Sequence, residues 1–353
     1  MRVKFRGQAF DYQTLRAMAY TTFGGAEPGE VLVTAERIKP RSTESWYREW
    51  FETASRVEDA ANEALNRGRS RTARYGFLRA HTYYRSAEFF LPADDDRRIP
   101  AYERSRETFR TAIEHLPTPV EITSIPFEDT TLPGYLFLPD DTAGASEPVS
   151  VIVCVGGFDS LGEELYFICG VPEALARGYA VFLFDGPGQG APLRYEGMTA
   201  RRDWEHVVER VIDFLDDRDE VDSDGVGLIG VSMGGYYAPR AAAFEKRIGA
   251  CCVFDHQHDV LLSAADGNPR MAQIARRIPD GILEPLVGAG GRISVEARWL
   301  IQQGKWVFGV ESVGELIDAF ASFSVTDVAG NIECPMLILA GENDHLVPVA
   351  MAE

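Results

Sequence analysis

The feature that most constrains this chain is a series of short, continuously apolar runs separated by segments of helical length. They read VSVIVCVGG, YAVFLFD, GVGLIGVS, IGACCVFD and CPMLILAG. A strand with one face in water alternates apolar and polar residues; these runs do not alternate, so each is expected to be covered on both faces. The segments between them, LGEELYFICGVPEALARG, RRDWEHVVERVIDFLDD and MGGYYAPRAAAFEKR, are helical in pattern. Strand–helix alternation of this kind gives an α/β fold with a mostly parallel, doubly wound sheet. Ligands on such sheets bind outside the carboxyl ends of the strands.

The rest of the chain is organised around that sheet. Residues 1–117 read as an N-terminal helical domain. STESWYREWFETASRVEDAANEAL opens on a capping signature and sets Trp46, Trp50 and Phe51 on one face. TARYGFLRAHTYYRSAEFFL carries an Arg/Tyr stripe, expected as core rings with charged heads at the rim. Arg67, Arg69, Arg71 and Arg74 are expected to pair with nearby acids. Residues 118–353 form the sheet domain. It opens with VEITSIPFEDTTLPGYLFLP, a hairpin expected to turn at Asp129 to Pro133, and the polar loop DDTAGASEP follows. Between Asp255 and Pro335 lie about 80 residues, although a crossover needs only about a dozen. The largely helical surplus, about 262–325, reads as a cap inserted over the strand ends.

Charge and cysteine usage narrow the partners. A net charge of −19 leaves nothing to offset repulsion from phosphate, so no nucleic acid partner is expected. The five cysteines show neither metal spacing nor a disulfide framework, and Cys154, Cys251 and Cys252 sit in apolar runs. Reduced cysteines fit a cytoplasmic protein. The N-terminus lacks the apolar stretch of a signal peptide, and no run of 18 apolar residues marks a membrane span. The expected partner is a small-molecule substrate, with no membrane partner, and at most a second copy of the chain in a homodimer.

Chemistry concentrates at the carboxyl ends of the runs. Gly230-Val231-Ser232-Met233-Gly234 is a G-x-S-x-G between a buried strand and a helix, the context of a serine nucleophile on a strained turn. Its oxyanion needs amide donors. The Met233 N–H is one by position, and GGFDS after the first buried strand offers Phe158 as the second, with Gly156 and Gly157 allowing close approach. On this fold the triad runs serine, acid, histidine. Asp344 follows the fifth buried run after a tight turn and is expected to be the acid. His345, its neighbour, cannot readily be oriented by Asp344 and reach Ser232 as well. His81, His115 and His206 fall in helices and read as structural. His256 and His258, in FDHQHD, are rival bases with Asp255 or Asp259 as orienter. A His-x-His pair also suits a metal, but no further ligand accompanies it at metal spacing, so neither metal nor cofactor is expected. Gly157, Asp159, Glu163, Tyr236, Asp255 and His256 are the candidate pocket residues. FDGPGQG lacks the Lys-Ser/Thr of a phosphate loop and reads as a turn shaping the pocket floor.

Together, GGFDSLGEELYF, RGYAVFLFDGPGQGAPLR, GVSMGGYYAPRAAAFEKRI and FLRAHTYYRSAEFFL resemble α/β-hydrolases with an N-terminal helical domain. These include the fungal pigment-pathway polyketide-shortening hydrolases and the bacterial 2,6-dihydroxypseudooxynicotine hydrolase, with FrsA-type esterases more distant. The resemblance runs from about residue 40 to residue 350. It implies Ser232 as nucleophile, Phe158 and Met233 as oxyanion donors, Asp344 as acid, and hydrolysis of a carbon–carbon bond next to a ketone. A carboxylesterase or acyltransferase on the same scaffold, or a non-catalytic binding protein, is the alternative. Members of that group continue past the position of Glu353, so the last strand and helix and the catalytic histidine are expected beyond it.

Overall fold

A computed structural model describes residues 2–140 and 148–352. The expected polar loop DDTAGASEP lies almost entirely outside the described residues. The chain divides into two compact units, Met1–Val120 with Val287–Gln303, and Glu121–Leu286 with Gly304–Glu353. The stretch read from sequence as one insertion is thus divided: Val287–Gln303 groups with the N-terminal helices and the remainder with the sheet.

The first unit is built on α1 (Gln8–Ala19), α2 (Pro28–Arg37), α3 (Thr43–Asn66), α4 (Ser70–Glu88) and α5 (Arg98–Ile113). Ser42 caps α3, its side chain accepting from the Ser45 N–H at 3.1 Å. Trp46 and Trp50, one turn apart, are fully buried with ring centroids 5.7 Å apart. Phe10 and Phe90 close on Trp46 at 4.6 and 5.2 Å. Each such ring removes on the order of 200 Å² from water, about 5 kcal/mol of transfer free energy before the entropy of ordering is subtracted. Phe51 packs against the same cluster at its flank, its ring 5.1 Å from that of Tyr84. The Arg/Tyr stripe departs from expectation at Arg85. Its head is buried rather than at the rim, donating to Gln13 Oε1 at 3.2 Å and lying 4.7 Å from the centroid of the Phe89 ring. Of the four arginines expected to pair with acids, Arg67 meets Glu63, whereas Arg74 donates to the His115 carbonyl.

The second unit opens with β1 (Val120–Phe127) and β2 (Thr130–Phe137). Their turn is tighter than expected: Glu128 takes a positive φ of 49°, and Pro133 lies within β2, just before its pairing with the next strand begins at Gly134. Then come β3 (Val149–Val155), α6 (Leu165–Ile168), α7 (Val171–Ala176), β4 (Ala180–Phe184), α8 (Gly190–Glu196), α9 (Glu205–Asp216), β5 (Val221–Val231), α10 (Gly234–Phe244) and β6 (Ile248–Phe254). They are followed by α11 (Val260–Ala264), α12 (Pro269–Ala275), α13 (Asp280–Ile293), α14 (Val295–Phe308), α15 (Val313–Ser322) and β7 (Met336–Leu339). The helix expected over LGEELYFICGVPEALARG is broken into short pieces, because Gly170 adopts φ 65° and Pro172 starts a fresh helix behind it.

Among the described residues the strands form one sheet in the order β1-β2-β4-β3-β5-β6-β7. β3 runs parallel to β4 and β5, β5 to β6, and β6 to β7, while β2 is antiparallel to β4. The carboxyl ends of β3, β5, β6 and β7 therefore share one edge. The amphipathic α9 buries Val207, Val208, Val211, Ile212 and Leu215 in the sheet core. Trp204 at its start stacks on Tyr237 of α10 with centroids 3.9 Å apart. The fifth apolar run differs from the others: as the outermost strand among the described residues, β7 leaves Leu337, Ile338 and Leu339 exposed. No helix of the described residues is long and apolar enough to cross a membrane.

Candidate active site

Ser232 sits where β5 hands over to α10, and the handover explains its neighbours. The serine is half-buried and takes φ 57°, a left-handed conformation that disfavours a residue bearing Cβ by roughly 1 kcal/mol or more. Two hydrogen bonds hold it there: its N–H donates to the Phe254 carbonyl at 3.0 Å, and its carbonyl accepts from Gly235 N–H at 2.7 Å. The sharp turn leaves no room at Gly230, where a Cβ would lie 2.1 Å from the Gly234 oxygen.

The loop after β3 lies against this turn. A Cβ on Gly157 would stand 2.8 Å from Ser232 Cβ and 3.0 Å from the Met233 nitrogen, so a side chain here would cover the approach to both. The Gly157 N–H is committed to Ser160 Oγ at 2.9 Å. The Met233 N–H donates to no group among the described residues. This loop and the turn that carries Ser232 therefore pack backbone to backbone, with the Met233 nitrogen at their junction.

Two carboxylates end the neighbouring strands. Asp255 follows β6, takes φ 62° and donates its N–H to the Leu339 carbonyl at the end of β7. Asp344 follows β7 through a turn in which its N–H donates to the Gly341 carbonyl at 3.1 Å. Asp344 Oδ1 accepts from the N–H groups of Leu346 at 2.6 Å and Val347 at 2.9 Å, which fixes the carboxylate's orientation. Ser232, Asp255 and Asp344 thus follow three consecutive parallel strands on the same sheet edge.

Burial, and then the nearby Asp344 charge, push the Asp255 carboxyl up from 3.8 to about 6. Because its folded value lies above its unfolded one, ionisation works against the fold. The penalty is absent well below pH 3.8, where both states are protonated, grows as pH rises between the two values, and is complete above about pH 6. Asparagine tolerates the left-handed backbone. Asp255→Asn is therefore expected to stabilise by about 1 kcal/mol at pH 7.5, allowing for partial solvent access, and by nothing at about pH 3. Thermal melts at the two pH values check this; equal shifts at both would remove the ionisation account.

The rival histidines are oriented by other groups. His256 places Nδ1 3.0 Å from the Gly235 carbonyl, and burial holds it below its ordinary value. His258 Nδ1 lies 3.3 Å from the Met351 carbonyl. Asp259 caps α11, accepting from Leu262 N–H at 2.8 Å. Neither ring nitrogen given a partner here meets a carboxylate. Among the described residues no group of three His, Cys, Asp or Glu side chains could hold a metal ion.

Of the remaining sequence candidates, Glu163 is buried and accepts from the Tyr135 hydroxyl at 2.6 Å, while Asp159 is half-buried in the loop after β3. Tyr236 is fully buried in α10 with its hydroxyl on the Arg202 carbonyl at 2.9 Å, and burial raises it to about 12. Sequence reasoning overlooked Gln189, a buried amide whose Nε2 donates to the Gly156 carbonyl at 2.7 Å. Its signal was one long polar side chain among the glycines of GPGQG.

Comparison with known proteins identifies the family. Residues 151–353 match the model of the alpha/beta hydrolase family. The 20-hydroxy-prefusarin hydrolase FUS2 of Gibberella moniliformis is 36% identical over 360 residues, covering 99% of this chain and 85% of its own. Hydrolase acrC of Aspergillus aculeatus is 36% identical over 349 residues, with 93% and 81% covered. The crystal structure of the 2,6-dihydroxy-pseudo-oxynicotine hydrolase shares the fold with TM-score 0.73 at 24% identity, over 95% of this chain and 83% of that one. On the family match and the extent of these relatives, the chain belongs to the alpha/beta hydrolase family and is a hydrolase.

Proposed function

We propose that this chain is a serine hydrolase that cleaves a carbon–carbon bond next to a ketone in an aromatic or polyketide-like small molecule. The observation that carries the nucleophile is the half-buried Ser232 at φ 57° with the Met233 amide uncommitted beside it among the described residues. The substrate class rests on the relatives: FUS2, 36% identical over nearly the whole chain, is named for hydrolysis of 20-hydroxy-prefusarin. The bond cleaved rests on the motif-level resemblance to carbon–carbon hydrolases.

In this reading a histidine beyond Glu353, oriented by Asp344, takes the Ser232 proton as Oγ attacks the ketone carbon. The oxyanion rests on the Phe158 and Met233 amides. Its collapse breaks the bond to the neighbouring carbon, and the electron pair leaves as an enolate because the second carbonyl spreads its charge. The imidazolium returns the proton to that carbon. Water, deprotonated by the same imidazole, then releases the acyl group from Ser232 as a carboxylic acid.

Incubating the full-length protein with an aryl 1,3-diketone in ¹⁸O-labelled water tests this. The expected products are a ketone and a carboxylic acid carrying one ¹⁸O. Turnover of p-nitrophenyl esters with none of the diketone would make it a carboxylesterase or acyltransferase. Failure of a fluorophosphonate to label Ser232, with neither substrate consumed, would make it a binding protein.

A further inference from the structure

The turn after β4 makes contacts that a pocket floor does not require. Gln189 is 3% exposed, although fixing a long glutamine side chain costs rotamer entropy. Both ends of its amide are used. Oε1 accepts from Gly186 N–H at 3.1 Å, inside its own turn. Nε2 donates to the Gly156 carbonyl at 2.7 Å and approaches the Gly157 carbonyl at 3.3 Å. An N–H on one side and two carbonyls on the other leave one orientation of the amide that satisfies every partner. The same turn reaches the far end of the loop: Asp185, 4% exposed, accepts from Gly162 N–H at 2.7 Å through Oδ1. Within the loop, Ser160 Oγ takes the Gly157 N–H. Packing leaves no slack, because a Cβ on Gly190 would fall 1.8 Å from Asp185 Oδ2.

The loop from Gly156 to Gly162 is thus held at its start by Gln189 and at its end by Asp185, and Phe158 lies between the two holds. We infer that Gln189 is a positioning residue for the oxyanion hole, fixing the Gly156-Gly157 peptides so that the Phe158 N–H faces the oxygen that forms beside Ser232. This rests on the proposed role of Ser232. A carbonyl held by a donor from behind cannot rotate its peptide, and rotation of the 157–158 peptide would turn the Phe158 N–H away. Misplacing one oxyanion donor lowers turnover while leaving ground-state binding alone, because the interaction forms only in the transition state.

The experiment uses the full-length protein, p-nitrophenyl butyrate and a fluorophosphonate that titrates Ser232. Gln189→Glu keeps the acceptor for Gly186 and removes the donor to Gly156 and Gly157; Gln189→Leu removes both. Each is expected to lower turnover per titrated site about 10- to 100-fold with KM within about twofold, and to slow fluorophosphonate labelling by the same factor. Ser160→Ala, which frees Gly157 N–H, is expected to do the same to a smaller degree. A purely structural role would reduce the fraction of titratable sites and the melting temperature, leaving turnover per titrated site at the wild-type value; that result overturns the inference. Should both Gln189 variants fail to fold, wild-type turnover per site in Ser160→Ala overturns it equally. A Ser232→Ala protein that retained turnover would instead overturn the nucleophile assignment, so the two failures are distinguishable.

Discussion

Ser232→Ala is expected to lower turnover by at least about 10⁴-fold while leaving the melting temperature within about 2 °C of wild type. The size follows from the unity of the machinery. In the proposed mechanism, without a hydroxyl there is nothing for the imidazole to deprotonate and no acyl-enzyme, so the amides and the acid have no reaction to accelerate beyond slow direct attack by water. The small effect on folding follows from the backbone. Alanine keeps the Cβ, hence the same resistance to φ 57°, and the bonds that fix this residue run through its own N–H and carbonyl, to Phe254 and Gly235. Turnover within about tenfold of wild type would refute the nucleophile assignment.

How far the sequence disclosed this molecule depends on whether a feature was local. The apolar runs located β3, β4, β5 and β6, because burial on both faces writes itself into consecutive residues. The same signal located β7 in CPMLILAG, which, as the outermost strand among the described residues, leaves Leu337 and Ile338 exposed. The helix after β3 was over-extended, since its apolar period continues across Gly170 and Pro172, which break the backbone without breaking the pattern. The tightness around Ser232 was legible through Gly230 and Gly234. The burial of Arg85 was not, because its partner Gln13 is 72 residues away. Gln189 escaped for the same reason, its carbonyl partners being 33 and 32 residues upstream. A side chain whose purpose is to hold another loop carries no sign of that loop in its own neighbourhood.

Non-local reasoning is also needed to choose between the two acids. Asp255 and Asp344 end adjacent strands, and the chain order that favours Asp344 is a regularity of the fold rather than a measured contact. Strand spacing offers an independent argument. Neighbouring strands lie about 4.8 Å apart, so the β7 end stands about 10 Å from the β5 end that carries Ser232, and the β6 end about half that. An imidazole with a hydrogen bond of about 2.8 Å at each side spans roughly 8 Å, which suits a carboxylate beyond the second strand better than one ending the adjacent strand. Orientation points the same way: Asp344 is locked by the Leu346 and Val347 amides, while Asp255 is pushed up to about 6 and would lose its charge in mild acid. Asp344→Asn is therefore expected to reduce turnover about 10⁴-fold at pH 7 with the fold retained, because the amide favours the wrong imidazole tautomer. Asp255→Asn, the matched control, should stay within about tenfold of wild type while melting higher. The pair is measured as kcat on one substrate, with fluorophosphonate titration confirming that Ser232 is present in both. If the losses are reversed, the acid belongs to β6, and the imidazole must approach Ser232 across the shorter gap.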